Sequence, residues 1–149
     1  MHSITCIGRD HLERTFVFND PEDEITSEDH HELFFAVKTH PEAMFFFELK
    51  LRAKPDGQFQ IIIIHHHNRP EYASMGIPDS LLPYLTHYLG RSICSSRVHV
   101  EGTNEWRAAP AKKMWDRLVQ KGLAKYYAEE DVYRTTEPNT APNAPPLHQ

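Results

Sequence analysis

Two neighbouring stretches of the chain hold the side chains best suited to chemistry. His65-His66-His67 ends an apolar run, and the loop that follows it contains Gly76. A histidine titrates near neutral pH, so it can accept a proton from a reacting group. A glycine-containing turn between a strand and a helix can direct the first amides of that helix at a phosphate-like anion. From these residues alone we interpret the segment as an ordinary connecting loop, with a site for a phosphate-like anion as the alternative.

Gly76 is the residue on which the predicted anion site depends. Because glycine has no side chain, the backbone at Gly76 can approach a ligand closely. We therefore expect a Gly76→Val substitution to weaken ligand binding far more than it weakens folding.

The three histidines do not predict a metal site. Side chains alternate along a strand, so His65 and His67 face one way, His66 faces the other, and at most two can bind one ion. A zinc site needs three or four ligands, and the chain has no Cys-x-x-Cys pair or His-Glu-x-x-His helix to supply the rest. We interpret these residues as strand residues at the mouth of a cleft or at a solvated end.

The composition predicts a single cytoplasmic domain over residues 1–134 and a disordered, proline-rich tail over residues 135–149. The chain of 149 residues is 40% hydrophobic and 25% charged, which is typical of a globular protein. No apolar run approaches the roughly 20 residues that a membrane-spanning helix needs. The first residues lack the features of a secretion signal, and the only cysteines, Cys6 and Cys94, suit free thiols in a reducing compartment.

The charge distribution favours a small anionic ligand over a nucleic acid. The net charge is −5, so no general attraction to nucleic acid is expected. Residues 91–134 nevertheless contain nine Lys or Arg against six Asp or Glu, a local excess of three positive charges. We interpret Lys112, Lys113 and Lys121 within this region as a solvated helix face.

Hydrophobic periodicity and turn residues predict an α/β or α+β fold, in which helices flank a central mixed β-sheet. The predicted elements are a strand or hairpin over Ile4–Phe18, a helix from Thr26 or Ser27 to Thr39, a hairpin of strands over Met44–Arg52 and Phe59–His67, a helix ending at Gly90, a strand over Arg97–Glu101, a helix from Pro110 to Gly122 and a strand over Lys125–Thr135.

Three of these predictions depend on particular residues. Thr26 or Ser27 can cap the first helix, because acidic residues follow in its first turn. Asp79 or Ser80 is the predicted cap of the second helix, because Pro83 is tolerated only in a first turn. Ile61–Ile64 shows no alternation, which predicts a central strand that is covered on both faces.

The loop after the histidines resembles the acetyl-CoA loop of the GCN5-related N-acetyltransferases. It is Pro70-Glu71-Tyr72-Ala73-Ser74-Met75-Gly76-Ile77-Pro78, followed by Leu81-Leu82. The family typically has Pro-Glu-Tyr-Arg-Gly-Lys-Gly-Ile-Gly and then a pair of aliphatic residues. Ala73 stands in place of the family's arginine, and Ser74 and Pro78 replace two of its glycines.

A downstream segment is similar to a second family pattern. Asn104, then the run Ala111–Leu118, then Gly122-Leu123 resembles the Asn, Ala, Tyr and Gly-Phe series of the family. Trp115 stands where many members have a tyrosine that acts as the general acid. The order of strands and helices also fits the family from about Ser27 to Arg134.

The resemblance implies acetyl-CoA as the cofactor and acetyl transfer to a primary amine of a small molecule or peptide. It implies His67 as the base that takes the amine proton, and an acceptor site in which the acidic run Asp20–Asp29 favours a cationic amine. The implied cofactor-binding residues are Asn68, Ser74, Met75, Gly76, Ile77 and Asn104.

Two alternatives remain open from the sequence. The same fold without transferase activity can serve as a binding or regulatory module, and an unrelated α+β adaptor can act through its sheet face. The acceptor and the choice between monomer and homodimer are also left open.

Overall fold

The computed structural model describes residues 1–27, 29–96 and 109–136. Within these ranges the chain forms nine strands and two helices, so the fold is a mixed α+β one, as predicted. In chain order the elements are β1 (His2–Ile7), β2 (Glu13–Phe18), β3 (Glu22–Ile25), β4 (His31–Lys38), β5 (Phe47–Ala53), β6 (Phe59–His65), α1 (Ile77–Leu89), β7 (Ile93–Cys94), α2 (Ala109–Gln120), β8 (Ala124–Tyr127) and β9 (Val132–Thr135).

All of these strands belong to one sheet. Its order is β1-β2-β4-β5-β6-β7-β9-β8, and β3 pairs with β4 beside this path. Neighbouring strands are antiparallel except β6 and β7, which are parallel and are joined by α1 as a crossover connection. Residues of both helices and alternate residues of the strands form one apolar core. Among the described residues, no helix has the length and apolar character needed to cross a membrane.

The predicted N-terminal hairpin is confirmed. β1 and β2 pair antiparallel from His2 opposite Phe18 to Ile7 opposite Glu13. Alternate residues of both strands are buried in the core, as the period of two along a strand requires.

The helix predicted from Thr26 or Ser27 to Thr39 is wrong, because this segment forms the turn that follows β3 and then β4. Thr26 does cap backbone amides, but it does so in the turn. Its Oγ1 accepts the amide of His30 at 3.1 Å, and its carbonyl accepts the amide of Asp29 at 2.9 Å. Asp29 has a φ of 62°, which reverses the chain direction.

Tertiary pairing explains why a strand forms here. Phe35 and Val37 lie fully buried on one face of β4, whereas the side chains of Phe34 and Ala36 are half-buried on the other. β4 is hydrogen-bonded to β5 on one side and to β2 and β3 on the other. These long-range pairings outweigh the local helix signals.

The predicted hairpin of β5 and β6 is confirmed, but the prediction that Ile61–Ile64 is covered on both faces is wrong. Ile61 is buried, whereas the side chain of Ile63 is 37% exposed. The difference arises because a β-bulge shifts the register, so that Ile61 lies opposite Leu51 and Ile63 lies opposite Lys50, and the two isoleucines therefore face different sides of the sheet.

The second helix begins earlier than predicted. Gly76, with a φ of 75°, is the N-cap of α1, and Asp79 and Ser80 lie within the first turn. Pro78 is in the first two helical positions, where no amide donor is required, and Pro83 lies inside the helix. Gly90 ends the helix in a left-handed conformation, as predicted.

The C-terminal segment contains one strand more than predicted. Lys125–Thr135 is not a single strand, because β8 and β9 form a hairpin from Ala124 opposite Thr135 to Tyr127 opposite Val132. The predicted tail over residues 135–149 begins too early, because Thr135 is a buried residue of β9 and the amide of Thr136 donates to the carbonyl of Leu123 at 2.9 Å. Residues 137–149 and the predicted strand over residues 97–101 lie outside the described residues.

Candidate functional site

A cavity of about 1010 Å³ lies between β6, the loop that follows it, the start of α1 and the side of α2. It forms because β6 and β7 pair only at Phe59 with Ile93 and at Gln60 with Cys94. Ser95 then hydrogen-bonds to β9, since its amide donates to the carbonyl of Tyr133 at 2.9 Å. Within the described residues, the ladder between the two parallel strands ends there, although Ser96 Oγ still donates to the carbonyl of Ile61 at 3.3 Å, and the rest of β6 lines the cavity.

Tyr72 anchors the loop between β6 and α1. Its side chain is buried, its hydroxyl donates to the carbonyl of Phe45 at 2.5 Å, and the amide of Thr39 donates to that hydroxyl at 3.3 Å. The amides of Tyr72 and Ala73 both donate to the carbonyl of Arg69. Tyr72, which belongs to the acetyl-CoA loop motif, thus has a structural role, because it holds the loop against the sheet.

The next residues present backbone amides at the cavity. Ser74, Met75 and Gly76 line it, and within the described residues no group accepts a hydrogen bond from their amides. The amides of the first turn of α1 lack intrahelical acceptors, as in any α-helix, and no side chain caps them. This wall is suited to hold an anion through main-chain donors.

The backbone that approaches Gly76 closely is that of Ile7, so the close contact at this glycine is made within the protein and not with a ligand. A Cβ at Gly76 would lie 2.2 Å from the carbonyl oxygen of Ile7 at the end of β1. Such a contact cannot form without moving one of the two backbones. The expectation that a side chain here disturbs binding far more than folding is therefore wrong.

Positive charge dominates the cavity wall. Its cationic side chains are Arg9, Lys113, Arg117 and Lys121, and its only carboxylate among the described residues is that of Asp79. Because the whole chain carries a net charge of −5, this excess of cations is local. An anionic ligand would be attracted to the cavity rather than to the surface in general.

Asp79 joins the two helices at the cavity rim. Arg117 Nη2 donates to its Oδ1 at 3.1 Å, and Lys121 Nζ donates to its Oδ2 at 2.7 Å. Burial of the carboxyl is the largest single effect and raises the pKa of Asp79, but the combined hydrogen bonds and charges of Arg117 and Lys121 hold that pKa below its ordinary value. Asp79 is therefore ionised at neutral pH.

Two of the three histidines line the cavity, and both have a defined hydrogen-bond role. Nδ1 of His65 accepts the amide of His67 at 2.7 Å, and Nδ1 of His66 accepts the amide of Asn68 at 2.9 Å. A neutral imidazole with Nδ1 as acceptor carries its proton on Nε2. In both neutral rings Nδ1 is thus already engaged by a backbone amide, and Nε2 is a donor rather than a base.

His67 has the opposite arrangement and a different position. Its Nε2 lies 2.8 Å from Oε1 of Glu48, so a neutral ring carries its proton there and leaves Nδ1 as the basic nitrogen. Its ring lies 4.7 Å from that of His65, but it does not line the cavity. In its neutral form His67 can therefore accept a proton at Nδ1, but it lies beside the cavity and not on its wall.

The structure brings most of the predicted cofactor-binding residues together. Asn68, Ser74, Met75 and Gly76 line the cavity, whereas Ile77 is fully buried in the core behind it. Asn104 lies outside the described residues.

The acidic run does not reach this cavity. Its members Glu22, Asp23 and Glu24 are exposed on β3, and none of them lines the cavity. The pairing of β3 with β4 holds this segment near the β2 side of the sheet.

Sequence reasoning missed the cationic wall. Lys113, Arg117 and Lys121 are spaced by four residues, which places them on one side of α2, so this part of the pattern was visible in the sequence. Arg9 had no such signal, because only the pairing of its amide with the carbonyl of Ser74 brings it to the cavity.

Trp115 is an aromatic residue that lines the cavity. Its side chain is almost fully buried and stacks on Tyr133, with ring centroids 5.7 Å apart. The hydroxyl of Tyr133 donates to Oδ1 of Asp116 at 2.8 Å. Tyr133 does not line the cavity, and its hydroxyl is engaged by Asp116.

Within the described residues, no group of three or more His, Cys, Asp and Glu side chains is arranged to hold a metal ion. Comparisons with protein-family models, with curated proteins and with solved structures find no match to this chain.

Proposed function

We propose that the protein binds acetyl-CoA in this cavity and transfers the acetyl group to a primary amine, as the resemblance to the GCN5-related N-acetyltransferases implies. The observation that carries the proposal is the meeting of unpaired loop amides at Ser74–Gly76 with four cationic side chains around one cavity. A cofactor that carries a pyrophosphate needs both kinds of donor. The cavity volume of about 1010 Å³ is at the upper end of the range of about 300–1,000 Å³ for ligand sites.

The remaining walls suit the uncharged part of such a cofactor. Ile62 and Ile64 of β6 and Met114 and Trp115 of α2 all line the cavity. An extended pantetheine chain would lie against these apolar side chains. Asn68 lies where the thioester end would emerge beside the histidines.

Acetyl transfer would proceed by direct attack. The amine nitrogen forms a bond to the thioester carbonyl carbon, the carbon–sulfur bond breaks, and CoA leaves as a thiolate that takes up a proton. The proton lost by the amine needs an acceptor, and Nδ1 of His67 is the basic nitrogen that Glu48 sets up. Because His67 lies beside the cavity and not on its wall, we place a water molecule between it and the amine.

A cofactor-binding module without transferase activity is the second candidate. It is favoured by Trp115, which occupies the place of the general-acid tyrosine and cannot donate a proton to a thiolate. Such a module would bind acetyl-CoA as tightly as CoA and release no free thiol in the presence of amines.

Thermal unfolding with added ligand tests the binding step. A ligand at 100 times its dissociation constant adds about 2.7 kcal/mol of stability, which raises Tm by several degrees in a domain of this size. Acetyl-CoA and CoA should both raise Tm in proportion to the logarithm of their concentration, and adenosine should not. If millimolar acetyl-CoA leaves Tm unchanged, the protein is not an acetyl-CoA enzyme.

Thiol release with a panel of amines tests the transfer step. His67→Ala should lower turnover about a hundredfold or more, with little change in acetyl-CoA affinity. His66→Ala is the matched control, because His66 Nδ1 is occupied by a backbone amide. Equal rates in the wild type and in His67→Ala between pH 6 and 7 would exclude His67 as the base.

A further inference from the structure

His65 accepts a hydrogen bond from the backbone of His67, the residue whose ring pairs with Glu48. Nδ1 of His65 accepts the amide of His67 at 2.7 Å, while Nε2 of His67 lies 2.8 Å from Oε1 of Glu48. The register of β5 against β6 places Glu48 directly opposite His65. The backbone and the ring of His67 are therefore held at two points, by groups on two neighbouring strands.

The turn that contains His67 benefits from side-chain support. The amide of Arg69 donates to the carbonyl of His66 at 3.1 Å, which closes the turn. Its two central residues, His67 and Asn68, have φ values of 55° and 56°. Positive φ at both central positions defines a type I′ turn, in which glycine is favoured. This turn has no glycine, so the acceptor that His65 supplies helps to hold a backbone conformation that side chains disfavour.

This support depends on the charge of the His65 ring. A neutral imidazole can accept a hydrogen bond at Nδ1, whereas an imidazolium carries a proton on both nitrogens and accepts none. Histidine side chains change between these two forms within about pH 5–8. Protonation of His65 therefore removes the acceptor of the His67 amide and directs an N–H group at that amide.

Several charged and titratable groups surround His65. Its ring centroid lies 5.5 Å from that of His66 and 4.7 Å from that of His67, and Glu48 approaches from β5. The groups that line the cavity together with His65 are His11, Arg9, Asp79, Lys113, Arg117 and Lys121. Charge at these groups changes how readily His65 takes up a proton, but the loss of the acceptor follows once it does.

We propose that His65 is a positioning residue whose neutral ring holds His67 in place beside the cavity, and that protonation of His65 releases the turn. Neither point depends on which ligand the cavity binds. If the protein transfers acetyl groups, His65 also sets the position of the basic Nδ1 of His67, and this consequence rests on the proposed function. His66 differs, because its Nδ1 accepts the amide of Asn68, one residue further along the chain, at 2.9 Å.

Two substitutions of His65 separate the acceptor from the charge. The side-chain oxygen of an asparagine can accept the amide two residues ahead, as in an Asx-turn, and does not titrate, so His65→Asn should keep the hydrogen bond at every pH. His65→Ala removes the acceptor altogether. His66→Ala is the matched control at the adjacent position, because it leaves the bond between His65 and His67 in place. The Tm of each variant verifies that the rest of the chain is folded.

The exchange of the His67 amide proton with water tests the proposal. It is measured by NMR on the full chain without ligand from pH 5 to pH 8, and each rate is divided by the intrinsic rate at that pH. In the wild type we expect the protection of this amide to fall about three- to tenfold as the pH falls, because the neutral acceptor is lost. Protection should stay high in His65→Asn, stay low in His65→Ala and follow the wild type in His66→Ala.

Three results would overturn the proposal. Equal protection of the His67 amide in the wild type and in His65→Ala at pH 8 would contradict the positioning role. A neutral His65 ring with its proton on Nδ1, detected in the NMR signals of the ring nitrogens, would contradict it as well. A fall in acid that is as large in His65→Asn as in the wild type would show that the release does not come from His65.

Thiol release tests the catalytic consequence separately. We expect kcat to fall about tenfold or more in His65→Ala and to recover in His65→Asn, with KM for acetyl-CoA unchanged, because His67 loses and regains its position. Wild-type kcat in His65→Ala would reject this consequence alone. A wild type without activity toward any amine would reject the proposed transfer reaction, and the exchange measurement would still decide the role of His65.

Discussion

Two walls of the cavity can bind an anion, but they use different groups. The loop wall, residues 68–76, offers backbone amides that Tyr72 and the contact of Gly76 with Ile7 hold in place. The α2 wall offers long cationic side chains, Lys113, Arg117 and Lys121, on a helix whose opposite side packs in the core. The first wall cannot change without disturbing the fold, whereas the second can change with little effect on it.

This difference predicts that substitutions in the loop wall act on stability and substitutions in the α2 wall act on affinity. The ion pairs from Asp79 to Arg117 and Lys121 are the direct link between the walls. The variants below probe each wall, from the largest expected effect to the smallest.

Gly76→Ala should have the largest effect. The new Cβ would lie 2.2 Å from the carbonyl oxygen of Ile7, at a φ of 75°. Gly90→Ala is the matched control, since Gly90 has a φ of 69° and no atom within 4 Å of its added Cβ. Urea unfolding should show a loss of about 1–2 kcal/mol for Gly90→Ala from left-handed strain alone and a clearly larger loss, or no folded protein, for Gly76→Ala. Equal losses would show that Ile7 does not constrain the loop wall.

Tyr72→Phe should have an intermediate effect on stability. It removes the hydroxyl that binds the carbonyl of Phe45 and the amide of Thr39, and leaves these two backbone groups without that partner. We expect a loss of about 0.5–1.5 kcal/mol in the free energy of unfolding. Tyr127→Phe is the control, because Tyr127 is partly exposed on β8. A loss no greater than in the control would contradict the role of Tyr72 as the anchor of the loop.

Asp79→Asn should lower stability slightly and should strengthen the binding of CoA. It removes the one carboxylate from the cavity wall and releases Arg117 and Lys121 for a ligand. We expect CoA to bind about three- to tenfold more tightly at low salt, and less so at high salt because ions screen the effect. Glu130→Gln, a loss of the same charge outside the cavity, should not change the affinity. Weaker CoA binding in Asp79→Asn would mean that Asp79 positions the two cations for the ligand.

The same variant also tests the pH dependence. Because the pKa of Asp79 is lower in the folded protein than its ordinary value of 3.8, its ionised form stabilises the fold. This stabilisation is complete above the unfolded pKa and is lost as the pH falls through the folded pKa. The stability difference between the wild type and Asp79→Asn should therefore be constant above about pH 5 and should shrink below about pH 4 in urea unfolding. A difference that does not shrink in acid would contradict the ion pairs.

The sequence predicted those parts of the molecule in which local and tertiary signals agree. The β1–β2 hairpin, the β5–β6 hairpin and the end of α1 at Gly90 have apolar periods and turn residues that match their final structure. The helix prediction from Thr26 to Thr39 was wrong for two reasons. The capping residue Thr26 is used in a turn, and the alternating burial of β4 arises only because β4 has strand partners on both sides.

The candidate site was predictable only where one stretch of sequence supplies it. Ser74, Met75 and Gly76 are consecutive, so their shared position at the cavity could be predicted from the loop. Arg9 reaches the cavity because the β1–β2 turn packs against the loop, and α2 reaches it because α2 packs beside α1. No local sequence pattern predicts either of these long-range contacts. The pairing of His67 with Glu48 likewise depends on the register of β5 against β6.

Hydrogen exchange of the full chain with and without CoA tests the central claim most directly, because it locates the ligand on both walls at once. We predict slower exchange in two segments, residues 74–80 at the loop and the start of α1, and residues 113–121 of α2. A segment distant from the cavity, such as β3, should exchange equally in both samples. Protection of neither wall at saturating CoA, or protection of β3 and β4 instead, would contradict the account.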